Sequence, residues 1–561
     1  MPKIIVEKIK GVVGLFRSER AFILSVLLPV ALLLIIADAR FTDLGFLQLH
    51  SIDEHVFNGS LRAMWSGITE LRPQRLFAYG FYQYGFIYFF LNLVLTAPFL
   101  AGGMDAVTVF LPRLVSSLAA LWSLALIYRM AKRTAGRPLA VSLAVIAALM
   151  PAFWINATYF HPDWLMTALL LAAVDQLMSA GKGDARRYRF SVLFYGLAVA
   201  VKYQVITFSP LYFIYVFRRE LFGLDFSGWR KNLARLVKTG LGIIAIFLVS
   251  NPFVLHPMGW RAFIGSLTEN LRSNATNHGA TATVTIADKI VTPIASHFLN
   301  PFFLLALLSA ALFAVWAYRR ERRQAAEAAL AVAFLLNLGY LLFFVNKAWH
   351  HYYLPVFMVG LPLLAEPYRR FLGTWRWRHW ALVGVVGLQL VLNARNSFLW
   401  VQESHDATVP DFNEWSLERS EANSAFIGGV LRRNGVTSNS HVLLSPYTGF
   451  HFSDVGLQYG NMSTIFGCFS EDVLDPDAYV ASQRRYWGDA KSPAELLKSF
   501  KPKDFVVLRR NEPFIDTSRL GLLRDQDACR HTADLVERLL QGGLPYDLVG
   551  QNDDIYVFKK R

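Results

Sequence analysis

Long apolar runs separated by short basic segments make up the first four hundred residues. "AFILSVLLPVALLLIIADAR" (21–40) opens the series, and "VFLPRLVSSLAALWSLALIY" (109–128), "FFLLALLSAALFAVWAY" (302–318) and "AALAVAFLLNLGYLLFF" (328–344) continue it. A helix needs about 20 apolar residues to cross a bilayer, and in lipid every backbone polar group has to be paired within the helix. The pattern predicts a mainly α, polytopic bundle of about eleven or twelve transmembrane helices over residues 1–400. The first run could end in a signal-peptidase site at Ala37-Asp38-Ala39. It is longer than the usual ~7–15 residue signal core, so it reads as an uncleaved first helix.

The basic segments order the runs. "IYRMAKRTAGR" (127–137), "SAGKGDARRYR" (179–189), "FRRE" (217–220), "WRKNLARLVK" (229–238), "YRRERRQ" (318–324) and "YRRFLGTWRWRHW" (368–380) are expected on the cytoplasmic side with the N-terminus, since basic loops stay inside. The outer side then receives residues 40–105, "WINATYFHPDW" (154–164), about 252–298, "VNKAWHHYY" (345–353) and everything after residue 400. An odd number of crossings is required between residues 40 and 132. "FIYFFLNLVLTAPFLAGG" (86–103) is therefore expected to lie on the outer interface or to re-enter, as juxtamembrane helices do. The stretch 191–217, with Lys202 inside it, reads as two short helices.

After residue 400 the apolar runs shorten and Asp, Asn, Ser and Pro increase. "HVLLS" (441–445), "DFVVLRR" (504–510) and "DIYVFKK" (554–560) read as strands, and "SEANSAFIGGVLRR" (420–433) and "TADLVERLLQ" (532–541) as helices. Residues 401–561 are thus expected to form a small extracytoplasmic α/β domain, periplasmic if the membrane is a bacterial inner membrane. Cys468 and Cys529 both fall there, either as a disulfide or as two buried thiols.

Composition agrees with a membrane protein: 54% of residues are hydrophobic and 17% charged, against about 25% charged in soluble domains. The net charge of +15 sits in the short loops, where it reports orientation and no nucleic-acid partner.

Ionisable residues within apolar runs point to function. The outer segments collect Asp53, Glu54 and His55; His161 and Asp163; and Lys347, His350, His351 and Tyr352. Lys202 interrupts an apolar run, and Tyr82 stands in the aromatic "FYQYGFIYFF" (81–90). Acids facing bases suit transfer of a sugar from a lipid phosphate. A carboxylate takes the acceptor's proton, and cations hold the departing phosphate. A divalent metal on Glu54 or His55 would also clamp the phosphate, although the sequence does not demand one. The bland alternatives are a helix cap for Asp53 and Glu54, snorkelling for Lys202 and aromatic-belt roles for His350 and His351. A transporter or lipid-linked glycan flippase is the rival class, but no internal repeat of the kind such folds use is visible.

The acid pair Asp53-Glu54 resembles that of the GT-C superfamily of membrane glycosyltransferases. "NATYFHPDWLMTALLL" (156–171), "GLAVAVKYQVITFSPL" (196–211), "SNPFVL" (250–255) and "KAWHHYYLPVFMVGLPLLA" (347–365) follow in order and resemble its protein O-mannosyltransferase and aminoarabinose transferase branch. The resemblance implies a polyprenyl-phosphate sugar donor, a lipid, glycan or protein acceptor, surrounding membrane lipids and inversion at the sugar carbon. It implies Asp53 as general base, Glu54 as its neighbour, Asp163 as the second-loop acid and Lys202 as a phosphate contact. Where the aminoarabinose transferases carry Glu-Lys-Pro-Pro, this chain has Tyr-Gly-Phe-Tyr-Gln (79–83).

Overall fold

The computed structural model describes residues 19–47, 51–77, 79–180, 184–223, 225–276, 284–321, 325–372 and 384–398. In the C-terminal part it describes chiefly 407–409, 413–445, 448–458, 462–464, 492–497, 502–510 and 536–561. The chain divides into two compact units. Met1–Arg40, Phe57–Leu271 and Val284–Trp400 form the first, and Phe41–Val56, Arg272–Thr283 and Val401–Arg561 the second.

The first unit is helical. Its elements are α1 (Glu19–Asp38), the greater part of α2 (Ile52–Thr69), α3 (Phe86–Ala101), α4 (Asp105–Ala135), α5 (Arg137–Ala148), α6 (Pro151–Ala157), α7 (Asp163–Ser179), α8 (Ala185–Val201), α9 (Trp229–Ser250), α10 (Pro257–Thr276), α11 (Pro301–Glu321), α12 (Ala325–Phe343) and α13 (His350–Gly360). Among the described residues, α1, α4, α9, α11 and α12 are long and apolar enough to cross a membrane alone, and α5 with α6 makes a sixth candidate bent by 62°. Pro151 opens α6 directly after the bend. Length alone therefore accounts for only part of the eleven or twelve crossings expected: α3 is apolar but 16 residues long, and α7 and α8 have 17 residues each. The stretch 191–217, expected as two short helices, is broken at Lys202 but consists of the end of the 17-residue α8 and two short pieces. α8 stops at Val201, a 3₁₀ turn runs Tyr203–Phe208, and a short helix follows over Pro210–Val216.

α4 is the central post, packed against α1, α3, α5 and α7. Its buried positions include Ser116, Ser117, Ala119, Ala120, Ser123 and Ala131. Small side chains let helix backbones approach closely, which drives association where lipid removes the hydrophobic advantage. At one end of the bundle the basic segments find acids. Arg129 and Arg133 both pair with the fully buried Asp175, Lys132 with Glu19, and Arg370 with Glu321 and Glu366. Segments expected to share one side are thus joined to one another.

The second unit holds a five-stranded sheet in the order β4-β3-β5-β7-β6, formed by β3 (Val442–Leu444), β4 (Met462–Thr464), β5 (Phe505–Arg509), β6 (Tyr546–Gln551) and β7 (Ile555–Lys560). β3 runs parallel to β4 and β5, while β7 is antiparallel to β5 and β6. A separate hairpin joins β1 (Ala407–Val409) and β2 (Asn413–Ser416), and α14 (Leu417–Arg433) follows it. The three strands expected from sequence are present. β4, β6 and the hairpin are additional. Residues 41–56, expected in an outer loop of the membrane part, belong to this unit. Cys468 and Cys529 lie outside the described residues.

Candidate active site

The helix break at Lys202 organises the first unit's polar cluster. Lys202 leaves α8 in an extended conformation (φ −151°, ψ 113°) and forms an isolated antiparallel bridge with Tyr84. Ending a helix inside the bundle frees carbonyls that need partners. The Gly85 N–H donates to Val201 O at 2.8 Å. Asn251 donates from Nδ2 to Ala200 O at 3.2 Å and accepts the Phe86 N–H on Oδ1 at 2.7 Å. Gly85 is required by proximity, since a Cβ there would meet Ala200 O at 1.6 Å.

The break delivers the ammonium of Lys202, only 5% exposed, to the carboxylate of Asp163, which is fully buried. Nζ lies 2.5 Å from Oδ1. The other oxygen, Oδ2, is 2.7 Å from His161 Nδ1. Asp163 is the first residue of α7, with Pro162 before it, and a helix N-terminus favours negative charge. Ser116 on α4 donates to His161 O at 3.1 Å, and Trp164 donates to Phe153 O at 3.2 Å. Those two bonds tie the turn to its neighbours.

Aromatic rings enclose the pair. Lys202 Nζ stands 5.2 Å from the Tyr84 ring centroid and 5.9 Å from that of Tyr352. Lys347, 1% exposed, places its own Nζ 4.3 Å from the Trp349 ring and 5.9 Å from Tyr352. Two ammonium groups thus approach one tyrosine ring, as cation–π attraction allows. His351 lies beside Tyr352 and 5.7 Å from His161, and His350 stacks on His297 at 4.9 Å. A crevice lined by Met166, Gln204, Asn337, Tyr340, Tyr352 and Pro355 opens next to this group.

The structure therefore brings together His161, Asp163, Lys202, Lys347, His350, His351 and Tyr352. Tyr82 is placed elsewhere: it donates to Phe77 O at 3.3 Å and packs on Tyr79 and Phe253. Tyr84, two residues on, occupies the position over the lysine. Asp53, Glu54 and His55 stand in the first turn of α2, within the second unit, with Asp53 exposed and Glu54 buried. Burial pushes His55 down to about 4, so its imidazole is neutral near pH 7. Among the described residues no group of three or more His, Cys, Asp and Glu side chains is arranged to hold a metal.

Arg113 is a residue that the motifs did not single out. It is fully buried on α4 and donates to Asp38 O at 3.2 Å and Arg40 O at 2.5 Å. Ser117 beside it donates to Asp38 Oδ2 at 2.8 Å. An arginine within "VFLPRLVSSLA" was the available signal.

A family model described as dolichyl-phosphate-mannose-protein mannosyltransferase matches residues 99–255, the span that contains His161, Asp163, Lys202 and Asn251. ArnT from Cupriavidus metallidurans in the apo state superposes with a TM-score of 0.53 at 13% identity, over 95% of this chain and 96% of that one. The fold is GT-C, of the ArnT type. The same ArnT bound to undecaprenyl phosphate gives 0.53 at 12% identity, over 94% and 97%. The Archaeoglobus fulgidus oligosaccharyltransferase complexed with Zn and sulfate is more distant, at 0.49 and 14% identity, over 86% of this chain and 68% of that one. No curated protein matches the sequence. With its apolar helices, this ArnT-like chain is an integral, multi-pass membrane protein.

Proposed function

We propose that the chain is a membrane glycosyltransferase that moves a sugar from a polyprenyl-phosphate carrier to an acceptor hydroxyl. One observation carries this reading: a lysine and an acid are buried against each other where a membrane helix is broken. Burying an ion pair gains little stability by itself. An ionisable residue kept at such a place is retained for what it does. The ArnT-type fold and the solved ArnT complex with undecaprenyl phosphate supply the ligand class.

In this reading Lys202 and His161 receive the carrier's phosphate, and Lys347, His350 and His351 add donors. Asp163 keeps Lys202 charged and aimed until the anion arrives. The crevice beside Tyr352 takes the first isoprene units. Asp53 accepts the acceptor's proton as its oxygen attacks the sugar carbon. The new C–O bond forms opposite the phosphate, the old C–O bond breaks, and the pair of electrons leaves with the phosphate. Displacement from the far side inverts the anomeric carbon. The reaction takes place on the outer face of a bacterial inner membrane, with a cytoplasmic N-terminus and the C-terminal domain outside. The acceptor is a lipid, a glycan or a protein.

The test is release of polyprenyl phosphate from a panel of polyprenyl-phosphate sugars incubated with membranes and a native lipid and glycan extract. A general base is worth about 100-fold or more, so Asp53→Asn at equal expression is expected to lose at least that much. Equal release by both proteins would place the base elsewhere. No release from any donor with the full extract would overturn the transferase.

A further inference from the structure

His451, on the turn after β3, sits between two carboxylates. Its Nδ1 is 3.1 Å from Asp43 Oδ2 and its Nε2 2.8 Å from Glu421 Oε2 on α14. Phe46 stacks on the imidazole with ring centroids 4.3 Å apart. The backbone joins in: Phe450 donates its N–H to Gly45 O at 3.1 Å, and the Gly45 N–H donates to Asp43 Oδ1 at 2.6 Å. A Cβ on Gly45 would lie 2.0 Å from Phe450 O, so only glycine allows the approach. His451 itself is anchored through its N–H to Ser424 Oγ at 3.0 Å. Residues 43–46 thus hold one edge and one face of the imidazole, as a strap leading towards α2, while Glu421 holds the opposite nitrogen.

Imidazolium donates from both ring nitrogens, whereas neutral imidazole donates from one. Two carboxylates on opposite nitrogens therefore match the protonated ring. The charged groups on the elements packed there are Asp43 on the strap, Glu421 on α14 and Asp454 on the following turn, whose carbonyl accepts from Arg432.

We propose that His451 is a positioning residue: bridging Asp43 and Glu421, it clasps the strap and so holds the start of the helix that carries Asp53 and Glu54. The role in turnover rests on the reading of Asp53 as the base. Partial burial opposes the charge on His451, but the bonds to Glu421 and Asp43 outweigh it and raise the pKa above its ordinary value. The clasp is then fully closed below about pH 6.5, the free value, and opens as pH rises through the raised one.

The experiment is hydrogen exchange of the peptide spanning 41–47 in the intact protein in nanodiscs, across pH and corrected for intrinsic rates. Wild type is expected to lose about three- to tenfold of its protection through the transition, a size suited to partly exposed ion pairs. His451→Gln should remove the pH dependence. Asp43→Asn and Glu421→Gln, both at exposed positions, should each move the midpoint down. Protection that is flat with pH in wild type, or unchanged in His451→Gln, overturns the clasp. Polyprenyl phosphate release by wild type should fall with the same midpoint, and a transition in exchange with no matching limb in release overturns the positioning role. Exchange needs no turnover, so a failure of Asp53 as base shows in Asp53→Asn release and leaves the exchange result intact.

Discussion

Removing the charge of Lys202 alone would leave the fully buried Asp163 without its ammonium partner, with only His161 beside it. Breaking a buried pair costs about 3–5 kcal/mol, so Lys202→Met is expected to unfold at a markedly lower temperature in detergent. The double variant with Asp163→Leu should recover most of that loss, because two apolar side chains replace two ions, and should still release no polyprenyl phosphate. Recovery of release as well would reduce the pair to a structural one. Lys202 was legible in the sequence because it interrupts an apolar run, and Asp163 because it stands in an outer segment directly before one. Tyr84 was not. "FYQYGFIYFF" offers several aromatics, and only the backbone bridge to Lys202 selects among them.

The break in α8 depends on its neighbours more than on its own residues. Gly85→Ala would push a methyl into Ala200 O, and Asn251→Leu would remove the bonds to Phe86 and Ala200. Both variants are expected to reach the membrane, since neither residue faces a charge. Both should lose release of polyprenyl phosphate by about tenfold or more, as misplacement of a positioned group does. Normal release with Asn251→Leu would show that the lysine needs no such scaffold. Elements with a clear period were readable: β3, β5 and β7 are apolar and β-branched. β6, "YDLVGQ", was not, because Asp547 and Gly550 break its pattern and its pairing with β7 is irregular between Leu548 and Gly550. β4 is three residues long, and its strand character comes only from lying beside β3.

The alternation of basic and apolar segments makes the sidedness of the whole chain testable. In a background with Cys468 and Cys529 replaced by serine, a cysteine at Arg186 should resist an impermeant maleimide added outside, and one at the exposed Ser438 should react. The reverse pattern would overturn the orientation. The assignment of residues 41–56 to the C-terminal unit could not be read from sequence, because it rests on contacts such as Gly45 with Phe450 across some four hundred residues. The pairing of Asp163 with Lys202 also has a consequence for biogenesis. An ionisable residue carried into the membrane zone is costly to insert, and Lys202 stands directly behind the apolar end of α8. Asp163 precedes Lys202 by 39 residues, so during translation α7 leaves the ribosome first. The acid is in place when the lysine arrives, and the lateral exit of α8 from the translocon is then assisted by a counter-ion already laid down. Asp163 variants should accordingly be caught at an earlier stage than Lys202 variants: as chains whose eighth helix is delayed at insertion and taken by quality-control proteases, before any question of sugar transfer arises.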